Sequence, residues 1–266
     1  MCGQTDRGSP VKSLERAIDV IEALSRHPGE VAVTDLAREL GLPKSSAFRV
    51  LSTLRQRGYV RQNADTERYS LGPRFLHIAA AVERETDLRS VAVPHLRALR
   101  DRTQETVHLA IPDGSKMVYL DKFESLQPVR LASRVGQQIL LHSTALGKAY
   151  LTALPEAEQL VMVKSLELER RTDRTITDRD ALLEELRSGR SRGFALDDVE
   201  NEVGVRCVGA ALLDRHGRPI AAISVSAPTT RFSKDKALRV GPWCAETAKT
   251  VSAELGGSTV AKASRH

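Results

Sequence analysis

A chain of 266 residues is longer than one compact domain usually needs, so two domains with separate cores are expected. A hydrophobic fraction of 41% suits a globular protein, while aromatics at only 4% leave few stacking platforms for single-stranded nucleic acid or sugars. The net charge of +6 is concentrated: between Leu40 and Phe75, Lys44, Arg49, Arg55, Arg57, Arg61, Arg68 and Arg74 face only Asp65 and Glu67, a local excess of +5 that attracts duplex phosphates.

The first segment, "MCGQTDRGSP", has no apolar signal-like core, and no run approaches a membrane span, so a soluble cytoplasmic protein is expected. Leu14, Ala17, Ile18, Ile21 and Leu24 then recur at three- and four-residue steps, which predicts an amphipathic helix ending near His27-Pro28-Gly29. A short helix follows with Thr34 as its cap and Leu36, Ala37 and Leu40 as its apolar residues, and Gly41 supplies a left-handed stop. After Pro43 a third helix is expected to bury Ala47, Val50, Leu51 and Leu54, leaving Ser45, Ser46, Arg49, Ser52 and Thr53 on its other side.

Gly58 ends that helix, and "YVRQ" and "RYSLG", joined across "NADTE", read as a hairpin. Two helices joined by a tight Gly-containing turn, then a hairpin, describe a winged helix-turn-helix, whose second helix fits the major groove of duplex DNA. Structured RNA is a poorer partner, because the deep major groove of its A-form helix does not admit side chains. The candidate contacts are Arg49 for bases or phosphate, with Ser45, Ser46, Ser52 and Thr53 beside it, Lys44 for phosphate at the helix start, and Arg61 and Arg68 on the wing.

From residue 88 onward, helix and strand patterns alternate. Helices are expected near Leu88 to Thr103, Thr144 to Ala153, Pro155 to Leu166, Asp178 to Arg192 and Lys234 to Leu255. Two hairpins, "TVHLAIP" with "KMVYLDKF" and "VGVRCVGAALLD" with "IAAISVSAP", point to an antiparallel α+β domain with helices to one side of the sheet. In "LHSTALGKA" a loop of small residues opens a helix, a place where free N–H groups can meet a carboxylate. Ser224 and Ser226 lie two apart in a strand and therefore share a face.

Enzyme signatures are missing from the chain. There is no H-E-x-x-H, Walker loop or G-x-G-x-x-G, and Cys2, Cys207 and Cys244 are too scattered for a disulfide framework or a zinc finger. His142 and Ser143 are adjacent, so on an extended segment they point apart and suit proton transfer badly. No cofactor and no metal is expected, since His142, Asp197 and Cys207 lack dense ligand spacing. The alternative, a small-molecule enzyme using its winged helix only to dimerise, needs a nucleophile or metal set that the C-terminal half does not offer.

The ordered motifs "VKSLERAIDVIEAL", "TDLARELGLPKSSAFRVLSTLRQRGYV", "ERYSLGPRFL", "LHSTALGKAYL" and the stretch from "RTITDRDALLEEL" to "AAISVSAP" resemble the IclR family of bacterial transcription regulators from about Lys12 to Leu255. The resemblance implies a winged helix-turn-helix DNA-binding domain (10–73), a linker helix (74–86) and a GAF-like α/β effector-binding domain (87–255), while the small polar composition of the tail (256–266) predicts disorder. It implies a homodimer or dimer of dimers on a double-stranded operator, with the linker stripe Phe75, Ile78, Ala79 and Val82 at the dimer contact. It also implies a small effector, by family analogy a carboxylic acid, held by Leu140, Ala145, Leu146, Asp197, Cys207, Ser224 and Ser226. Some relatives carry Gly-Ala where this chain has Ala145-Leu146, a change that narrows the cavity or alters its selectivity.

Overall fold

The computed structural model describes residues 11–78 and 88–256, and the chain divides into two compact units at Thr86/Asp87. The first unit holds α1 (Lys12–Arg26), α2 (Val33–Glu39), α3 (Lys44–Gln56), β1 (Val60–Gln62) and β2 (Tyr69–Leu71). Its core is built from Val20, Ala23 and Leu24 of α1, Leu36 of α2, Leu51 and Leu54 of α3, and Val60 and Tyr69 of the hairpin. The turn between α2 and α3 closes on Gly41 at φ +62°, a left-handed conformation that glycine adopts freely, and Leu42 N–H donates to Ala37 O at 2.9 Å. The wing strands pair antiparallel, Val60 opposite Leu71, and paired hydrogen bonds between Val31 and Tyr69 tie the wing to the start of α2.

Three local expectations change. The α1 stripe is real, but its first half faces outward: Leu14 is 60% and Ile18 46% exposed, while its last member Leu24 is buried together with Val20 and Ala23 from outside the stripe. A helix-period pattern reveals an apolar face without saying what covers it. Thr34 lies inside α2 and Ala32 takes the N-cap position with no side-chain cap, so packing of Leu36 and Ala37 holds that helix in place of a cap. Val50 is only half-buried, at the rim of the α3 core stripe. Residues 74–78 are helical, and the rest of the expected linker, with Ala79 and Val82, lies outside the described residues, as do tail residues 257–266.

The second unit runs α4 (Leu88–Thr103), β3 (Thr106–Asp113), β4 (Lys116–Phe123), β5 (Gln138–Leu140), α5 (Ala145–Ala153), α6 (Glu156–Ser165), α7 (Arg179–Arg192), β6 (Ala195–Asp198), β7 (Val205–Leu213), β8 (Pro219–Pro228) and α8 (Lys234–Glu254). Its antiparallel six-stranded sheet has the order β5-β4-β3-β8-β7-β6. Helices cover both faces, where one was expected. Val107, Leu109, Val208, Ile223 and Val225 pack with α4 and α8, while Ala110, Met117, Ala195 and Ala222 pack with α5, α6 and α7. The sequence carries the sign of this in β8, whose residues from Ala221 to Ala227 are all buried, as befits a strand covered on both sides. Side-chain caps fix three helix starts: Thr144 accepts from Gly147 N–H, Asp178 from Ala181 N–H and Ser233 from Lys236 N–H.

Candidate nucleic-acid interface and ligand cavity

In the first unit, α3 turns Ala47, Leu51 and Leu54 inward and leaves Lys44, Ser45, Arg49 and Thr53 exposed, with Ser46 and Ser52 half-buried. Thr53 Oγ1 donates to Arg49 O at 3.1 Å, so its lone pairs face outward. No acid occupies the first turn of α3, whose positive end is therefore free of a competing carboxylate. On the wing, Arg61 and Arg68 are exposed; Arg61 Nε donates to Ser70 Oγ at 2.9 Å, and Arg68 Nη1 to Glu30 O at 3.4 Å. Glu30 also accepts from Asn63 and Thr66 at 2.8 and 2.9 Å, bonds that fix the wing tip and hold its own carboxyl below the usual range.

The second unit holds a small cavity of ≈ 140 Å³ between the sheet, the start of α5 and loop 124–137. Strand register assembles it. Asp197, Cys207 and Ser226 lie side by side across β6, β7 and β8, and Ser224 lies between Gly209 and His108 on the next row. Ser224 Oγ is 3.3 Å from Ser226 Oγ and 3.4 Å from His108 Nδ1, and His108 Nε2 is 2.7 Å from Ser133 Oγ on the covering loop. Lys122 anchors that loop by donating to Leu131 O and Ser133 O at 2.7 and 2.9 Å. The His108 ring lies against Tyr119, centroids 4.7 Å apart.

Gly209 brings the opposite wall close. A Cβ there would lie 2.6 Å from Ala145 O, so only glycine lets α5 begin directly on the sheet. Thr144 Oγ1 takes up the Gly147 amide, whereas the amides of Ala145 and Leu146, the first two helical residues, precede any residue able to serve as an intrahelical acceptor. Together with the helix dipole they make one wall of the cavity an anion-facing surface.

The electrostatics are unusual for an anion site. Among the described residues no lysine or arginine lines the cavity, while Asp197 and Glu202 do. Burial pushes the Asp197 carboxyl up to about 7, against the pull of Lys148 and of the Glu200 and Asn201 amides that donate to it. Burial also drives His108 down to about 3, with Lys122 adding to the effect, so its ring is neutral. The Cys207 thiol, hydrogen-bonded to Ser226 and Asp197, is held well above its ordinary range by burial first and by Asp197 second. Behind this wall the buried Lys148 pairs with Glu200 at 2.6 Å. At neutral pH the cavity therefore offers hydroxyls, amides, a neutral imidazole and a carboxyl near half-protonation, which suits hydrogen-bonded capture of a small polar molecule and not nucleophilic attack.

Of the expected ligand residues, Ala145, Leu146, Asp197, Cys207, Ser224 and Ser226 line the cavity together. Leu140 does not; its neighbour Ile139 does, because alternation along β5 turns Leu140 the other way. Periodicity alone did not single out His108, Tyr119, Ser133 and Asn201, which cross-strand register and a loop bring in. His142 and Ser143 form no relay: His142 Nε2 is 3.0 Å from Glu169 O and Ser143 Oγ donates to Asn201 Oδ1. Among the described residues no cluster of three His, Cys, Asp or Glu is placed to hold a metal ion, and no helix is long and apolar enough to cross a membrane. A larger groove of ≈ 780 Å³, beside β7, α5, α7 and α8, is walled mostly by alanines and glycines, with Glu156, Arg190, Asp214 and Lys249 also in its lining.

Family models match both units. Residues 13–64 match the IclR helix-turn-helix domain and residues 80–253 the bacterial transcriptional regulator IclR C-terminal domain. The chain is 34% identical over 92% of its length to the HTH-type transcriptional regulator KdgR of Escherichia coli, covering 93% of that protein. It is similar to the crystal structure of Thermotoga maritima IclR at TM-score 0.80 and 35% identity, covering 92% of this chain and 99% of that one. It also shares its fold, at TM-score 0.78 and 22% identity over 91% and 98% of the two chains, with an IclR homologue of Microbacterium hydrocarbonoxydans solved with 4-hydroxybenzoate. These relatives are regulators and not enzymes, and the chain belongs to the IclR family of bacterial transcriptional regulators.

Proposed function

We propose that this regulator binds double-stranded operator DNA through α3 and the wing, and that a small organic acid in the cavity of the second unit changes its operator affinity. The observation that carries the sensor half is the cavity itself: a hydrogen-bonding surface of Asp197, Ser224, Ser226 and His108 surrounds empty space between the sheet and its covering loop. Evolved cores do not leave such groups around a void without a use for it. The volume is close to the ~150 Å³ that holds one benzene ring, so the ligand has the size of a short-chain or single-ring acid. Its carboxylate would meet the Ala145 and Leu146 amides, and its other end the serines. The 4-hydroxybenzoate held by a protein of the same fold supports an acid of that class.

On the DNA side, Arg49 serves as the base- or phosphate-contacting residue, with Ser45, Ser46, Ser52 and Thr53 beside it; Lys44, Arg61 and Arg68 meet phosphates. Arg49→Ala is expected to cost about 1–3 kcal/mol of discrimination between operator and competitor duplex, measured by gel shift at moderate salt. Unchanged discrimination refutes the assignment. The chain acts as a homodimer or dimer of dimers. Support comes from the exposed apolar residues Val11, Leu14 and Ile18 along α1, and Leu76 and Ile78 beyond the wing, a surface that a second copy would cover. A thermal-shift screen of small aliphatic and aromatic acids tests the sensor: ligand at about 100 times its Kd stabilises the second unit by ~2.7 kcal/mol, and a panel without any shift contradicts the reading.

A further inference from the structure

We propose that Phe48 reads the 5-methyl group of a thymine in each operator half-site, fixing a T·A pair that Arg49 and the neighbouring hydroxyls leave undetermined. This deepens the assignment of α3 as the DNA-contacting helix and rests on it.

Phe48 is 54% exposed, whereas Ala47, Leu51 and Leu54 of the same helix are each less than a tenth exposed. It has no place in the core of the first unit. Its neighbours on the helix surface, three and four residues away, are Lys44, Ser45 and Ser52, with Arg49 adjacent in sequence. It therefore stands within the polar, cationic surface in the N-terminal half of α3, the half that approaches base edges in a helix-turn-helix.

The outward apolar stripe of α1 does not explain it. The groove between α1 and α3 is lined on the α3 side by Ser46, Arg49, Val50, Thr53 and Leu54, and Phe48 lies on another flank. A phenyl ring has no hydrogen-bonding group for a phosphate or for a guanine, adenine or cytosine edge. In the major groove the apolar feature of a base is the thymine methyl, and Phe is among the side chains that pack on it. The surface that is unfavourable in water becomes favourable when it covers that methyl.

The experiment begins with selection of duplexes from a random pool by the full chain. The enriched duplex is then remade with deoxyuridine at each thymine in turn, which deletes one methyl and leaves every hydrogen bond intact. The wild type is expected to lose about fourfold in affinity at one thymine of each half-site, the worth of one buried methyl group. Phe48→Ala is expected to bind the thymine and uracil duplexes equally while keeping its melting temperature, and Arg49→Ala is expected to remain sensitive to the uracil change. Wild-type indifference to every uracil overturns the proposal, and that scan needs no variant. Undiminished sensitivity in Phe48→Ala overturns it too. A pool without any enriched sequence overturns the DNA-binding reading itself, and with it this proposal, before any uracil duplex is made.

Discussion

Asp197 and His108 titrate in opposite senses on the same cavity, and replacing Asp197 by Asn should expose the balance. Folded, Asp197 keeps its proton up to about pH 7, while the unfolded chain releases it near the ordinary 3.8. Stability from this group is complete below about pH 4 and is lost as pH rises to 7, at ~1.4 kcal/mol per pH unit and about 4 kcal/mol in all. His108 does the reverse. Folded, it refuses a proton down to about pH 3, while the unfolded chain takes one up near 6.5. Its contribution is complete above 6.5 and lost as pH falls toward 3, about 5 kcal/mol in all. Between pH 4 and 6.5 the two slopes nearly cancel in the wild type. Asp197→Asn, which keeps an oxygen to accept the Glu200 and Asn201 amides, removes one of them. The free-energy difference, variant minus wild type, should then rise with pH by up to ~1.4 kcal/mol per unit between pH 4 and 7. Taking the difference cancels the other titrating groups. Trp243, the one tryptophan of the chain, sits on α8 under Arg102 and reports urea unfolding of the second unit alone. Parallel wild-type and variant profiles across that range would refute the assignment of a buried, proton-bearing Asp197.

Other perturbations follow from single contacts. Gly209→Ala drives a methyl into Ala145 O and should destabilise the second unit by about 1–3 kcal/mol and weaken acid binding, seen by urea unfolding and by loss of the ligand-induced thermal shift. Lys148→Met strands the buried Glu200 carboxylate and should cost about 3–5 kcal/mol, much of which Glu200→Leu in the same chain should restore. Leu14→Glu with Ile18→Glu should leave the first unit folded but convert the dimer to monomer in sedimentation, with operator affinity falling alongside. An unchanged sedimentation coefficient would show that this stripe is not the contact.

The sequence and the structure agree where local rules decide and part where tertiary pairing does. The helices of the second unit begin and end close to where caps and apolar spacing put them, since Thr144, Asp178, Ser233 and Gly193 act within their own helix. The start of β6 is a product of its pairing with β7, and the second helical layer shows locally only in the run of β8 residues buried on both faces. Leu14 and Ile18 show the same limit: spacing marks a stripe, and only the packed unit shows that α1 buries Val20 and Ala23 beside Leu24 while the start of the stripe stays outside. In the cavity, alternation placed Ser224 and Ser226 on one face, but His108 reaches them through a strand partner over a hundred residues earlier, a register that no local pattern carries. Ile139 replaces Leu140 because a three-residue edge strand offers too little alternation to fix its phase. Asn201 has a polar neighbour in Ser143 only after the chain folds.

The account stands on the coupling of the two units, and one titration addresses it most directly: the Kd of the selected operator duplex, by fluorescence anisotropy, with and without an acid that stabilises the second unit. A saturating acid should shift that Kd by about fivefold or more, in either direction, and Gly209→Ala should abolish the shift. An acid that binds the second unit with full stabilisation and leaves the operator Kd unchanged would contradict the account.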